Sequence, residues 1–247
     1  MTATARKNGL HSDKRTTMVH LLLPAAGSGR RMGSDRNKCL LEVFGQPMLA
    51  WTLKSALAAQ EISGIGIIAQ PHDFPDFESI IAHLGAQKPV HFVTGGSTRQ
   101  ESVYNGLQEV PPHAEQVLIH DAARCLATPE LFDRCAIAVR EHSALIAAVP
   151  VKDTIKVVDE QGIIQDTPNR QNLWAAQTPQ GFDVALLKKC HQQGKELGWQ
   201  VTDDAALLEK CQMPVYVVSG EETNIKLTTP DDLTLAEQIL RRRWGDG

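Results

Sequence analysis

A run rich in aliphatic residues, Val19 to Leu23, stops at Pro24-Ala25-Ala26-Gly27-Ser28-Gly29, and cations follow at Arg30, Arg31 and Lys38. A short apolar run bounded by turn signals reads as a buried strand. Small residues at its end let the backbone bend sharply and approach a ligand closely. Successive backbone N–H groups in such a loop can hold an anion. Arg30, Arg31 and Lys38 would supply the charge that a polyphosphate needs, although a turn into a solvated basic segment accounts for the same residues. Two glycine-loop registers fail. The dinucleotide fingerprint needs Gly or Ala where Met32 stands, and the ATP/GTP loop also meets Met32 with no Lys-Ser/Thr after it. A nucleoside triphosphate held by amides and cations fits better than a dinucleotide.

The 247 residues suffice for one large α/β domain, and no apolar run is long enough to cross a bilayer. A net charge of −4 gives no global attraction to nucleic acid or acidic membranes, so the cations after the loop must act locally. Five scattered cysteines, none in a C-x-x-C pair, argue against structural zinc and disulfides, and for a reducing cytoplasm. Residues 1–17 are polar and lack the apolar core of a secretory signal, so a disordered tail is expected, with the folded domain over 18–247.

Along the chain, strand and helix alternate. Pro47 opens a helix carrying Leu49, Trp51, Leu53 and Leu57, and Ile65–Ala69 reads as a strand ending in Gln70-Pro71. No carboxylate stands there for a nicotinamide ribose. Phe74–Leu84 is a helix closed by Gly85, and Pro89–Val93 is a strand. Gly95-Gly96-Ser97-Thr98-Arg99 nearly spells a nucleophile elbow, but Arg99 replaces the last glycine. Ser97 or Thr98 can instead cap a helix to Leu107, in a loop able to hydrogen-bond a base. Val117–Ile119 is a strand ending in His120-Asp121, where open α/β sheets place ligands and where a carboxylate can hold Mg²⁺ or a ribose; a simple turn pair with Arg124 is the alternative. Leu131–Arg140 is a helix and Leu145–Val149 a strand.

A β-hairpin then breaks the alternation, with Thr154–Val158 and Ile163–Gln165 within an inserted arm over about 151–171. A two-stranded ribbon is marginal alone in water, so a second subunit is a natural support. Leu173–Thr178 reads as a strand closed by Pro179-Gln180-Gly181, and Val184–Gln193 as a helix ending at Gly194. Thr202 would cap a helix over Asp203–Lys210, with Asp203 and Asp204 in capping rather than metal-binding roles. Val215–Val218 is a late strand and Pro230–Arg241 a terminal helix.

Taken in order, P-A-A-G-x-G-x-R-M with a following lysine, G-G-x-x-R-x-x-S-V, H-D-A-A-R, L-W-x-x-x-T-P-Q, T-D-D-A and N-I-K-L-T-x-P-D-D resemble the 2-C-methyl-D-erythritol 4-phosphate cytidylyltransferase family, from about Val19 to Arg241. The resemblance implies a Rossmann-like nucleotidyltransferase fold, a mostly parallel twisted sheet with helices on both faces and a protruding β-arm, paired as a homodimer through that arm. It implies a Mg²⁺-dependent reaction of CTP with the phosphorylated polyol, releasing pyrophosphate. Position by position, Ala25, Ala26, Gly27 and Gly29 would hold the CTP ribose and phosphates. Arg31 and Lys38 match the transition-state cations. Gly96, Ser97 and Ser102 would face cytosine, and Asp121 the ribose or metal, the Mg²⁺ being carried mainly by the CTP phosphates. Thr154 and Arg170, on the arm, would reach a neighbouring subunit's acceptor site; Arg170 and Lys226 would position the acceptor phosphate, with Thr178 lining that side. The chain departs from the family at two places: Asn37 and Cys39 flank the lysine in place of proline and an aromatic residue, and Cys125 replaces proline after H-D-A-A-R. Loop stiffness is thereby in question.

The acceptor is an ionised phosphate monoester, so positioning and charge neutralisation rather than a strong base are required. A ribitol 5-phosphate cytidylyltransferase and a non-catalytic nucleotide-binding regulator remain the alternatives at this stage.

Overall fold

The computed structural model describes residues 18–27 and 37–245. The expected tail, together with Gly29 and Arg31, lies outside the described residues. Seven strands form the central sheet: β1 (Val19–Pro24), β4 (Ile62–Ala69), β5 (Val90–Thr94), β6 (Gln116–Ile119), β7 (Ala144–Pro150), β10 (Trp174–Asp183) and β11 (Tyr216–Ser219). Short hairpins supply β2 (Glu42–Val43) with β3 (Gln46–Pro47), and β8 (Val157–Val158) with β9 (Ile164–Asp166). The helices are α1 (Met48–Ala58), α2 (Phe74–Leu84), α3 (Arg99–Gln108), α4 (Pro129–His142), α5 (Val184–Glu196), α6 (Ala205–Lys210) and α7 (Pro230–Trp244).

Sheet order is β11-β7-β10-β6-β1-β4-β5. Only β10 is antiparallel to its neighbours, β6 and β7. The chain order reverses at β1, so the loops after β1 and β6 open side by side, the position at which doubly wound sheets bind ligands. Side chains alternate across the pleat: Val19, Leu21 and Leu23 join one buried layer with α1, α2 and α4, while Leu22 joins the opposite layer with α3, α5 and α6. Both faces are therefore covered, which is why β1 reads as a continuous apolar run rather than an alternating one. A third cluster, including Met48, Trp51, Leu126, Leu227 and Leu240, seats α7 against the β2–β3 region.

Four expectations need correction. The β2–β3 hairpin was not anticipated; Phe44 and Gly45 both take positive φ (50° and 73°) in its two-residue turn, and only the glycine advertised this. Residues 179–181 do not close a strand. β10 runs through them, and its pairing with β7 shifts register between Ala176 and Gln180, so the ladder skips Pro179, which has no N–H to give. Gly194 does not end α5, which continues to Glu196; a Cβ there would lie 2.8 Å from Leu207, so the glycine lets α6 pack closely. Thr202 does not cap α6. Asp203 accepts from the Ala206 N–H at 3.1 Å, and Gln180 Oε1 accepts from the N–H groups of Asp204 and Ala205.

The arm forms as a separate two-stranded ribbon. The Asp159 carboxylate accepts from the N–H groups of Gln161 and Ile163, and Gly162 turns at φ 81°. Ile155, Val157, Val158, Ile163 and Ile164 are all exposed on it, at 39–59 %.

Candidate active site

A cleft of about 400 Å³ opens at the C-terminal ends of β1, β5 and β6. Ala25, Ala26 and Gly27 line it from the β1 loop, Lys38 from a 3-10 turn, Gly96 and Ser97 from the β5–α3 loop, Arg99 and Ser102 from the start of α3, Asp121 from the β6 loop and Lys226 from the segment before α7. Among the described residues, three cations, Lys38, Arg99 and Lys226, face it with one carboxylate, Asp121, in a chain whose net charge is negative. Such a concentration of positive charge in a walled cleft suits a polyanion.

Asp121 is the electrostatic hub. Lys226 Nζ stands 2.6 Å from one of its oxygens and Arg99 3.5 Å from the other. Burial pushes its carboxyl up, but Arg99 and Lys226 outweigh this and hold it down at about 2. The alternative of a turn pair with Arg124 holds for the backbone alone: the Arg124 N–H donates to the Asp121 carbonyl at 2.9 Å, but the guanidinium does not pair with the carboxylate. Arg124 donates instead to the carbonyls of Asn224 and Ala176. Behind Asp121 lies a directional chain. The Arg124 carbonyl can only accept, so His120 Nε2 carries the proton and donates to it at 3.1 Å. Nδ1 then accepts from the Thr178 hydroxyl, and Thr178 Oγ1 accepts from the Asp121 N–H, each at 3.0 Å. Burial lowers the His120 pKa to about 4, so the neutral ring that this chain needs is the one present near pH 7. Thr178 is thus buried behind the cleft and touches the site through Asp121.

Lys226 is brought to Asp121 by several hooks. Leu227 N–H donates to the Ala123 carbonyl at 3.0 Å, and Asn224 Nδ2 to the Thr178 carbonyl at 2.8 Å. Arg99 has a second, buried partner. Its guanidinium lies 2.8 Å from Asp204, which is 1 % exposed. Burial alone would lower the Arg99 pKa, but Asp204 and Asp121 raise it. Asp204 therefore anchors Arg99 and is not a cap. The site role of Arg99 was missed in the sequence, where it served only to exclude a nucleophile elbow; the G-G-x-x-R spacing was the available signal.

Asn37 answers the question of loop stiffness. Its Nδ2 donates to the Ala25 carbonyl at 2.5 Å and to Asp73 at 2.8 Å, and its Oδ1 accepts from the Cys39 N–H at 3.0 Å. It therefore staples the Lys38 turn to the end of β1. Its backbone (φ −56°, ψ 126°) is one that proline adopts readily, which explains how either residue serves there. Cys39 and Cys125 are buried, and burial pushes both thiols up to about 12, so both are inert packing groups.

Among the expected site residues, the cleft brings together Ala25, Ala26, Gly27, Lys38, Gly96, Ser97, Ser102, Asp121 and Lys226. Thr154 and Arg170 do not line it; both are exposed on the arm, where Arg170 donates to the Lys152 carbonyl at 2.8 Å. Among the described residues, Asp121 is the only carboxylate lining the cleft, and no group of three His, Cys, Asp or Glu side chains could cage a metal.

A doubly wound sheet with a cationic cleft at its switch point defines an α/β nucleotidyltransferase-like protein. The family model for 2-C-methyl-D-erythritol 4-phosphate cytidylyltransferase (IspD) matches residues 19–242, and the chain belongs to that family. A relative of that name from Nostoc sp. is 69 % identical over 91 % of this chain and 99 % of its own, and one from Synechocystis sp. is 64 % identical over 91 % and 98 %. Among solved structures, 4-diphosphocytidyl-2C-methyl-D-erythritol synthase from Anaerococcus prevotii superposes with a TM-score of 0.82 at 33 % identity, covering 92 % of this chain and 100 % of its own. The Thermus thermophilus cytidylyltransferase gives 0.73 at 32 %, covering 91 % and 99 %.

Proposed function

We propose that this chain transfers CMP from CTP to 2-C-methyl-D-erythritol 4-phosphate. An oxygen of the acceptor phosphate attacks the α-phosphorus; that P–O bond forms as the bond to the β-phosphate breaks, and pyrophosphate leaves with the electron pair. The acceptor arrives ionised, so no residue has to remove a proton. The obstacle is repulsion between two polyanions, and the observation that carries the reading is the convergence of Lys38, Arg99 and Lys226 on one walled cleft. We assign the triphosphate side to Ala25, Ala26, Gly27 and Lys38, which line the cleft, and keep Gly29 and Arg31, outside the described residues, as the matching family positions. Gly96, Ser97 and Ser102 form the base wall. Lys226 exchanges Asp121 for an incoming phosphate.

Mg²⁺ fits this site as a companion of the nucleotide. The single carboxylate among the described lining residues, Asp121, matches an ion that keeps waters and is bound mainly through substrate phosphates. There it would neutralise phosphate charge.

Thr154 and Arg170 enter the scheme through assembly. The exposed apolar residues of the arm suit burial against a second copy, and a homodimer of this kind would deliver both side chains to the neighbour's acceptor site. No described helix is long and apolar enough to cross a membrane. We read the chain as a cytoplasmic enzyme acting on small phosphorylated substrates, without nucleic acid, on the strength of its scattered cysteines and net charge of −4. Pyrophosphate release from CTP with 2-C-methyl-D-erythritol 4-phosphate, set against ribitol 5-phosphate, tests the acceptor. Preference for ribitol 5-phosphate would overturn it.

A further inference from the structure

The loop between β5 and α3 turns its hydrogen-bond donors inward. Gly95 N–H donates to the Ala69 carbonyl at 2.9 Å. Gly96 N–H donates to Ser102 Oγ at 3.0 Å, and that hydroxyl donates onward to the Thr98 carbonyl at 2.8 Å. Ser97 gives both its protons to one oxygen of Glu101, the N–H at 2.8 Å and the hydroxyl at 2.6 Å. A carboxylate can only accept, so the direction of the second bond is not in doubt. Gly96 is part of the same arrangement: a Cβ there would lie 2.3 Å from Glu101 Cγ, so only glycine lets the Glu101 side chain cross the loop to reach Ser97.

Residues 95–97 therefore have no backbone N–H left for a ligand, and the Ser97 hydroxyl has no proton left. What Ser97 Oγ can offer the cleft is lone pairs. This wall is unsuited to an anion and suited to a group that donates. The two common pyrimidine nucleotides differ in this respect at ring position 4, where cytosine carries an N–H₂ donor and uracil a carbonyl acceptor.

We propose that Glu101 is a specificity-determining residue: by holding both protons of Ser97 it makes that hydroxyl an obligate acceptor, which selects the amino group of a cytosine nucleotide and rejects uracil. This rests on the reading of the cleft as a CTP site. Glu101 itself need not touch the base; it acts through Ser97. The hydroxyl and N–H of Ser97 also lower the pKa of the Glu101 carboxyl, so it remains an ionised acceptor at neutral pH.

Two substitutions separate polarity from mere loop support. In Glu101→Ala neither proton of Ser97 has its acceptor, which frees the hydroxyl to donate to a carbonyl. Ser97→Ala removes the acceptor altogether. Equilibrium binding of CTP and of UTP to the full chain, measured by calorimetry, is the readout. It needs no acceptor turnover, so failure of the polyol reaction would leave it readable. The wild type is expected to favour CTP. Glu101→Ala should lower the CTP-to-UTP affinity ratio about tenfold, chiefly because UTP gains. Ser97→Ala should lower the same ratio by weakening CTP alone. In the Ser97→Ala background, Glu101→Ala should change the ratio by less than about twofold, because its route is gone. A structural role would weaken both nucleotides in parallel and leave the ratio where it was. An unchanged ratio in either single variant, or a wild type that binds the two nucleotides equally, would overturn the proposal.

Discussion

Acid should destabilise this protein through two buried histidines before it touches the carboxylate at the site. His20 is 2 % exposed on β1, stacked on His91, and its Nε2 has no hydrogen-bond partner; burial lowers its pKa from 6.5 to about 4. His120, fully buried, is lowered to about 4 for the same reason. In both, the folded value lies below the unfolded one, so the unfolded chain binds more protons between the two. Their contribution is fully present above 6.5, is lost as pH falls, and is exhausted below about 4. At about pH 5 each histidine costs about 2 kcal/mol relative to about pH 7.5, roughly 4 kcal/mol together. His91, also lowered by burial, adds in the same direction. Asp121 does not confuse the window. Its carboxyl is depressed from 3.8 to about 2, so its contribution is present above 3.8 and is lost only in stronger acid. Urea denaturation followed by far-UV circular dichroism at the two pH values measures the loss. His20→Phe keeps the stacked shape, removes the titration and should recover about 2 kcal/mol of it. A wild type equally stable at both pH values, or a His20→Phe protein with the wild-type loss, would refute the argument.

Asn37→Ala should lower turnover about tenfold by loosening the Lys38 turn and leaving buried Asp73 short of a donor, whereas Asn37→Pro should retain more activity than Asn37→Ala; steady-state kinetics on both variants decides. Thr178→Val removes the acceptor for the Asp121 N–H and should cost about 1–3 kcal/mol in stability together with a fall in kcat, read by thermal melts and turnover; unchanged kcat would separate Thr178 from the site. If the arm serves the neighbouring site, mixing inactive Lys38→Ala and Arg170→Ala subunits should restore about one quarter of wild-type activity, because half the sites in mixed dimers are intact. No recovery after verified exchange would place Arg170 in its own chain's site.

How far the sequence could be read follows from the range of the interactions involved. β1, α1 and α2 were legible because their signals are local: an apolar run, Pro47 before the helix, and Gly85 at φ 59° after α2. The boundary at Gly194 was misread because its reason is a packing partner, Leu207, on another helix. At the site, local motifs identified the loops that line the cleft. They could not show that Arg99 pairs with Asp204, that Asn37 reaches Asp73, or that His120 and Thr178 support Asp121 from behind. Each of these joins residues far apart in the chain, and each is buried, so no spacing rule reports it. The apparent departure at Asn37 likewise became intelligible only once its hydrogen bonds and its φ were known.

The central claim is that this cleft works by cancelling charge between two anions. Turnover of CTP with 2-C-methyl-D-erythritol 4-phosphate by wild type and by Lys38→Ala, with thermal melts on both, tests it most directly. The expected result is release of pyrophosphate and a CDP-polyol by the wild type, with kcat lower by roughly 10²–10³ in the variant and little change in melting temperature. Near-normal turnover by a folded Lys38→Ala protein would contradict it.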